Sequence, residues 1–555
     1  MDPPTTINPL QQVLAYHEQT KHHPHRYARS AGFLDWATQP DPFRRFHGAD
    51  LILLDEIALS EKPSYDSIFA DSDVVPLPVN RQSVSQLLYD SLALSTWKQH
   101  LESRWALRIN PSSGNLHPTE GYLIAPPIAE VCDDAGIFHY CPYEHGLETR
   151  YRLTGDQWQK LAADLPSQAL LVGLTSIYWR ESWKYGERAF RYCQHDVGHA
   201  IAAIAIAAAV LGWNAQLLDA VTDEDLAVLC GLHKQNGIEA EHPEALILLY
   251  PKDHVSTPAA PHHYRLPQPL LRELRQTDPQ GRPNTLSPDH RPWPIIDEVS
   301  QATLHRESTT SHCAAPPPIM ETHDPDRGLG ARRLIHQRRS AVALDGDTGI
   351  TAPAFYRLLK RLLPIRNPLP FSSLAWQPRV HLALFVHRVE GLAPGLYFLL
   401  RDHHQLADLQ AALQSEFSWR RPDNCPEEVP LYLLVEADTR HAAMIVSCGQ
   451  DIAADGAFSL GMIAQYQQPL REFGPWFYKR LFWECGVIGQ LLYLEAEAAQ
   501  LRGTGIGCFL DDSMHDILGI ATGAYQSLYH FTLGGPVEDP RIQSAPAYAH
   551  RQQKT

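Results

Sequence analysis

Two stretches decide the reading: Ser182–Trp213, SWKYGERAFRYCQHDVGHAIAAIAIAAAVLGW, and Pro475–Gly507, PWFYKRLFWECGVIGQLLYLEAEAAQLRGTGIG. Each sets an aromatic and basic opening before a long apolar helical run and closes on glycine. From Tyr185 to Gly212 is 27 positions, and from Tyr478 to Gly505 is also 27. Around them, AGIFHYCPYEHGLE (135–148) echoes APGLYFLLRDHHQLA (393–407), and ALILLYP (245–251) echoes YHFTLGGP (529–536). A turn repeats more faintly, NPSSGNLHPTEGYL (110–123) against LPFSSLAWQPRVHL (369–382). Four similar segments in one order predict a duplicated α+β domain. In a homodimer one patch meets its own copy across a two-fold axis. Fusing two copies makes that contact intramolecular, so one composite site can decay while the other is kept.

The expected organisation is an extension over 1–77, a first domain over 78–255, a Pro-rich linker or wrapping segment over 256–328, a second domain over 329–543 and a tail over 544–555. Within the first domain, RQSVSQLLYDSLALSTWKQHL (81–101) has apolar residues at helical spacing, and GYLIAPPI and IFHYCPY read as strands.

The chain has 555 residues, 44% of them hydrophobic and 20% charged, as in soluble globular proteins. Its net charge is -16, which argues against nucleic acid or an anionic membrane surface as the main partner. Nine cysteines with no C-x-x-C pair give neither a disulfide framework nor a thiolate zinc site, so a reducing, cytoplasmic compartment is expected. The polar, His-rich amino end does not read as a secretory signal. The Ala200–Trp213 run is too short to span a bilayer and reads as a buried helix.

Several residues suit a bound ligand. Arg338-Arg339-Ser340 offers two guanidinium forks and a hydroxyl, donors that fit a phosphate; the first-half candidate, Arg81-Gln82-Ser83, is weaker. Pro111, Ser112, Ser113, Gly114 and Asn115 form a tight turn whose hydroxyls and amide can read the edge of a planar heterocycle. Its second-half counterpart, Phe371 to Ala375, is poorer. Gly505 and Gly507, in RGTGIG, read as a turn that lets backbone approach a ligand, or as a helix C-cap, but not as a dinucleotide fingerprint. Lys184 beside Tyr185 gives two groups able to exchange protons; the plainer reading is a helix-start pair. His195 and His199 lack the HExxH glutamate and a third ligand, so polar contacts at a helix interface are expected. The head cluster His17, His22, His23 and His25 is assigned no metal, and no G-x-S-x-G elbow occurs.

Together R-I-N-P-S-S-G-N-L-H-P-T-E-G-Y, W-K-Y-G-E-R-A-F-R-Y followed by D-V-G-H, and the opening Y-H-E-Q-T-K-H…Y-A…L-D-W resemble SagB-type dehydrogenases of the nitroreductase-like flavoprotein superfamily. The second half, with Q-R-R-S and R-G-T-G-I-G, is similar to another copy of that domain. The resemblance implies two tandem nitroreductase-like domains, each a four- to five-stranded mostly antiparallel sheet wrapped by helices, paired as an intramolecular pseudo-dimer. It implies FMN between them. Arg338, Arg339 and Ser340 match the phosphate-binding start; Pro111, Ser112, Ser113 and Asn115 the loop that reaches the flavin from the other domain; Gly505 and Gly507 the turn near the isoalloxazine. Lys184 and Tyr185 match a pair implicated in azoline oxidation. The two departures, Phe371 with Leu374-Ala375 and the missing first-half R-R-S, predict one good FMN site per chain.

The activity implied is an FMN-dependent oxidation of azoline-like bonds in a peptide or small molecule, with peptide-modifying enzymes as partners. An NAD(P)H-dependent reductase of nitro groups or quinones and a non-catalytic flavin-carrying scaffold are the alternatives.

Overall fold

A computed structural model describes residues 8–70, 74–252, 263–309, 326–364, 368–521 and 523–551. Each half builds one antiparallel sheet. The first takes β1 (Leu51–Leu53), β4 (Thr119–Ala125), β5 (Ala135–Cys141), β6 (Gly146–Leu153), β7 (Leu170–Ser176), β8 (Trp213–Leu217) and β9 (His242–Pro251), in the order β1-β6-β5-β4-β7-β9-β8. The second takes β10 (Val380–Val386), β11 (Gly395–Leu399), β12 (Leu431–Glu436), β13 (Phe458–Gln465), β14 (Arg502–Ile506) and β15 (Tyr525–Gly534), in the order β12-β11-β10-β13-β15-β14. Six positions correspond in order between the sheets. The central strands are buried along their length, and so read as continuous apolar runs instead of alternating ones. The four to five strands expected become seven and six. The hairpin partner β6, and β12 reached after the helix Leu406–Ala412, extend the sheets, and β1, from the amino-terminal extension, pairs onto β6.

Between the sheets run α4 (Ala189–Val210) and α6 (Phe477–Ala498), each 22 residues. Every residue of α4 is buried, so the Ala-rich run is an internal helix, as expected. Alanine suits it twice: high helix propensity and a thin profile where two helices meet. The helices cross backbone to backbone at Gly198 and Gly486. A Cβ on Gly198 would lie 2.9 Å from the Gly486 Cα, and one on Gly486 2.8 Å from the Gly198 Cα. Each glycine is the tenth residue of its helix, so the crossing lies on the pseudo-two-fold axis.

That symmetry corrects the repeat register. The two helices correspond at an offset of 288, pairing Gly198 with Gly486, whereas Tyr185 against Tyr478 is an offset of 293. The order of repeated segments holds. The matched 27-residue spacing does not, because Tyr185 precedes its long helix and Tyr478 lies inside the other.

One apolar cluster runs through both halves, from Val13 and Leu123 to Leu384, Ile488 and Tyr548. The flanking segments belong to it. In α1 (Pro9–Gln19), the Tyr16 hydroxyl donates to the Glu187 carbonyl at 2.8 Å, and His17 bonds Tyr478 and Gln526 of the second half. Helices Gln268–Gln276 and Pro294–Ala302 bury Leu270, Leu274, Ile296 and Val299, so the described part of the Pro-rich stretch wraps the first half. The helix expected over 81–101 stops early. α2 (Arg81–Tyr89) is capped by Asn80, and Leu94–His100 is a strand, β2, paired with β3 (Ser103–Arg108) and with β16 (Gln543–Ala545) from the end of the chain.

Candidate active site

A cavity of about 950 Å³ opens between the halves, within the range of small-ligand sites. Its walls come from both. The first half supplies Pro111–Asn115, Arg108, Tyr185 and one face of α4; the second supplies Arg338–Ala343, Gly505–Cys508, Tyr493 and Tyr529. Asn115 and Arg339 border the same space.

One end is cationic. Lys98, Arg108, Arg338, Arg339 and Arg502 line it. Arg338 sits just after α5 (Ala331–Gln337), where its guanidinium donates to the Arg108 carbonyl at 3.0 Å and stacks on Tyr493 at 5.1 Å. Its Nε, like that of Arg108, is buried with no hydrogen-bond partner among the described residues. Burial lowers the pKa of Arg338, and burial with repulsion from Arg338 brings Arg339 down to about 10. Among the described residues Arg502 is the one of the five that forms ion pairs, with Glu497 and Glu538, and Glu497 also accepts from the Arg339 backbone N–H at 3.3 Å. Buried donors and positive charge in excess of negative fit a dianion such as a phosphate monoester. Ser340 faces the same space, its hydroxyl 3.0 Å from the Tyr493 oxygen, which also accepts from the Gly505 N–H at 3.0 Å.

The PSSGN turn forms the opposite wall. Gly114 (φ 59), Asn115 (φ 60) and His117 (φ 52) all take left-handed backbone, a concentration of strain seen at ligand sites. Gly114 is required: a Cβ there would lie 2.5 Å from the Tyr185 hydroxyl and 3.2 Å from the Lys184 Nζ. The Asn115 amide is engaged within the turn while still bordering the cavity. Its nitrogen donates to the Ala106 carbonyl at 2.9 Å and its oxygen meets His117 at 2.9 Å, so it braces the turn. The turn is tethered to α4 by Asp196, which accepts from the Ser113 N–H and hydroxyl, both at 3.1 Å.

Arg502–Ile506 of RGTGIG is the strand β14 paired with β15, not a turn, and Gly507 follows its end. The motif's glycines make room for aromatic rings: a Cβ on Gly505 would collide with Tyr529, and one on Gly507 with Tyr192. The backbone of both still faces the cavity.

Tyr185 borders the cavity, and the Lys184 ammonium lies 5.2 Å from its ring centre at the end of α3 (Tyr178–Tyr185). Burial, then Glu181, pushes the Tyr185 pKa well up. Beneath them lies a buried carboxyl pair that sequence reasoning missed. Burial, with Asp196 beside it, holds Glu181 far above the usual carboxylate range, against Lys184 and the Ser112 hydroxyl, which oppose the shift. Burial also lifts Asp196 to about 7, against the opposing donors of Ser112 and Ser113. A legible signal existed: Tyr192, Asp196 and His199 stand at i, i+4 and i+7 of α4 and all face the cavity.

His195 donates through Nε2 to the Leu528 carbonyl at 2.9 Å and stacks on Tyr529, while burial, then Arg338, brings His199 down to about 3. This is the helix-interface role expected. In the head cluster, Glu18, His23 and Asp512 converge, but Lys21 already sits between the carboxylates, 2.8 Å from Glu18 and 2.9 Å from Asp512.

No protein-family model matches the sequence, and no curated protein matches it. Among solved structures, a proposed nitroreductase from Anabaena variabilis superposes with a TM-score of 0.65 at 21% identity, over 95% of this chain and 99% of that one. A proposed nitroreductase from Ralstonia eutropha (15% identity, TM-score 0.27) covers 41% of this chain and 97% of its own. The Escherichia coli microcin synthetase McbBCD complex with bound truncated pro-MccB17 (16% identity, TM-score 0.26) covers 44% and 93%. Likeness this low carries no argument, but the Anabaena match runs through both sheets. The chain therefore holds two nitroreductase-like α+β domains in tandem, packed as an intramolecular pseudo-dimer.

Proposed function

We propose that the chain is an FMN-dependent oxidoreductase with one flavin site, lying in the cavity between the halves. The observation that carries this is a single space bordered by the first-half turn and the second-half arginine pair. Arg338, Arg339 and Ser340 would hold the phosphate, whose two charges satisfy the unpaired Arg338 Nε and relieve arginine–arginine repulsion. The Pro111–Ser113 backbone and the β14 backbone would flank the ring. When bound, FMN supplies a two-electron acceptor.

The chain's own groups handle the proton. Tyr185 and Lys184 stand over the turn, close enough to Gly114 to reach a substrate laid beside it. Burial keeps the tyrosine a phenol that donates a hydrogen bond, and Lys184 in its free-amine form would be the group that takes the proton. Asp196, held near 7, and Glu181 behind it can accept that charge without leaving a bare carboxylate pair. On the strength of the motif resemblance, the substrate is an azoline-like ring in a peptide or small molecule, handled with peptide-modifying partner enzymes in a reducing, cytoplasmic compartment.

The test is purification in air, followed by flavin absorbance and identification of the released cofactor. Co-purifying FMN, with Lys184→Ala lowering turnover at least tenfold while retaining flavin, supports the reading. Absence of flavin after reconstitution overturns it, and full bleaching by NADPH within a turnover would transfer it to the reductase alternative.

A further inference from the structure

Two thiols at the rim of the cavity take no part in that reading. Cys508 follows β14 and lines the cavity; Cys448 follows the helix Arg440–Val446. Both are partly exposed, and neither is in a disulfide. Their sulfurs are 2.7 Å apart. The backbone holds them together from both sides: the Leu510 N–H donates to the Val446 carbonyl at 2.8 Å, and the Gln450 side chain donates to the Cys508 carbonyl at 3.1 Å. Cys448 itself takes left-handed backbone (φ 57), a strained conformation for a side-chain-bearing residue, which faces its sulfur to its neighbour.

The surroundings make Cys508 the nucleophile. The Ala28 N–H donates to His22 Nδ1 at 3.0 Å, so the neutral ring carries its proton on Nε2 and offers it to the Cys508 sulfur. Arg188 brackets the residue, reaching the Gly507 carbonyl at 3.3 Å and stacking on Phe509 at 4.7 Å. Hydrogen bonding from Cys448, then from His22, brings Cys508 down to about 5, against burial, while Cys448 is pushed up. Tyr27 and Tyr192 also face the pair. A low-pKa, accessible thiolate beside a second thiol is the arrangement of a reacting and a resolving cysteine.

We propose that Cys508 and Cys448 form a thiol–disulfide exchange site for low-molecular-weight disulfides. The Cys508 thiolate attacks one sulfur of the small disulfide, forming a mixed disulfide and expelling one thiolate. Cys448 then attacks the Cys508 sulfur, its proton leaving with the second small thiol. One disulfide is reduced to two thiols, and the two cysteines are oxidised to a disulfide. The chemistry is independent of any flavin.

The experiment treats the reduced full-length chain with glutathione disulfide at pH 7 and maps its peptides by mass spectrometry without reduction. The expected products are a Cys448–Cys508 cross-link in the folded wild type, and in Cys448→Ser a stable glutathione adduct on Cys508. Iodoacetamide should alkylate Cys508 in the wild type at pH 6, with His22→Ala moving that profile upward by at least one pH unit. A folded wild type that forms no cross-link, or whose Cys508 alkylates only near the ordinary thiol range, overturns the proposal without reference to any variant.

Discussion

The cavity has a twin, and the twin is closed. At an offset of 288, Asp196 corresponds to Glu484, Tyr192 to Arg480, and Lys184-Tyr185 to Glu472-Phe473. Both carboxylates anchor a turn. Asp196 holds Ser113, while Glu484 accepts from the Arg379 and Val380 N–H groups and from the Trp376 indole. Their company differs. Glu484 is ion-paired to buried Arg401, whereas Asp196 has hydroxyl and amide donors and, among the described residues, no ion-pair partner. On the twin's side, Phe371, Leu374, Ala375 and Trp376 are buried, and Arg480 lies against Trp376, Trp476 and Trp483 while pairing with Asp219 at 3.0 Å. The first-half basic candidate, Arg81, is bonded to Asp55 and to the Leu53 carbonyl. One composite site thus keeps Arg338, Arg339 and a perturbed carboxyl around an open space. The other pairs its charges and fills the space with rings. Stability and function are divided between symmetric positions of one scaffold.

The division can be broken at four places. Glu484→Gln strips buried Arg401 of its carboxylate and should cost about 3–5 kcal/mol, a large fall in thermal midpoint. Asp196→Asn should cost far less. Gly198→Ala and Gly486→Ala should each cost roughly 1–3 kcal/mol, alike for the two sites, because each forces the same backbone crossing apart; unequal effects would place the axis elsewhere. Arg338→Ala with Arg339→Ala should weaken FMN about 100-fold in a fluorescence titration, since two charge-assisted contacts are lost, while Arg81→Ala leaves it unchanged. The remaining effect is in pH. Asp196 is raised from 3.8 to about 7, so the folded chain holds a proton that the unfolded chain releases. Its contribution to stability is present below 3.8 and is lost as pH rises towards 7. Denaturant midpoints of Asp196→Asn against wild type should show that decline removed; an unchanged slope would mean the carboxyl is not buried as described.

The duplication and the composite cavity were legible because the repeated segments keep their order and the Arg338-Arg339 and PSSGN motifs survive in complementary halves. The register was not. Tyr185 and Tyr478 share a residue type but not a helix position, and only the meeting of Gly198 with Gly486 fixes the correspondence. Leu94–His100 read as helix because its spacing allows one; it forms a hairpin with the adjacent β3, and its other edge pairs with β16, more than 400 residues away, a pairing no local pattern carries. RGTGIG read as a turn because glycine is rare inside strands, whereas here Tyr529 and Tyr192 occupy the missing side chains. Asn115 matched a motif by type, but its amide is engaged by Ala106 and His117.

The most direct test is flavin stoichiometry. Apo-protein titrated with FMN and followed by calorimetry should bind one equivalent per chain, and the Arg338→Ala/Arg339→Ala double variant should lose it. Two equivalents would mean the twin site is open, and one equivalent surviving in the double variant would place the flavin outside the cavity where Asn115 faces Arg339.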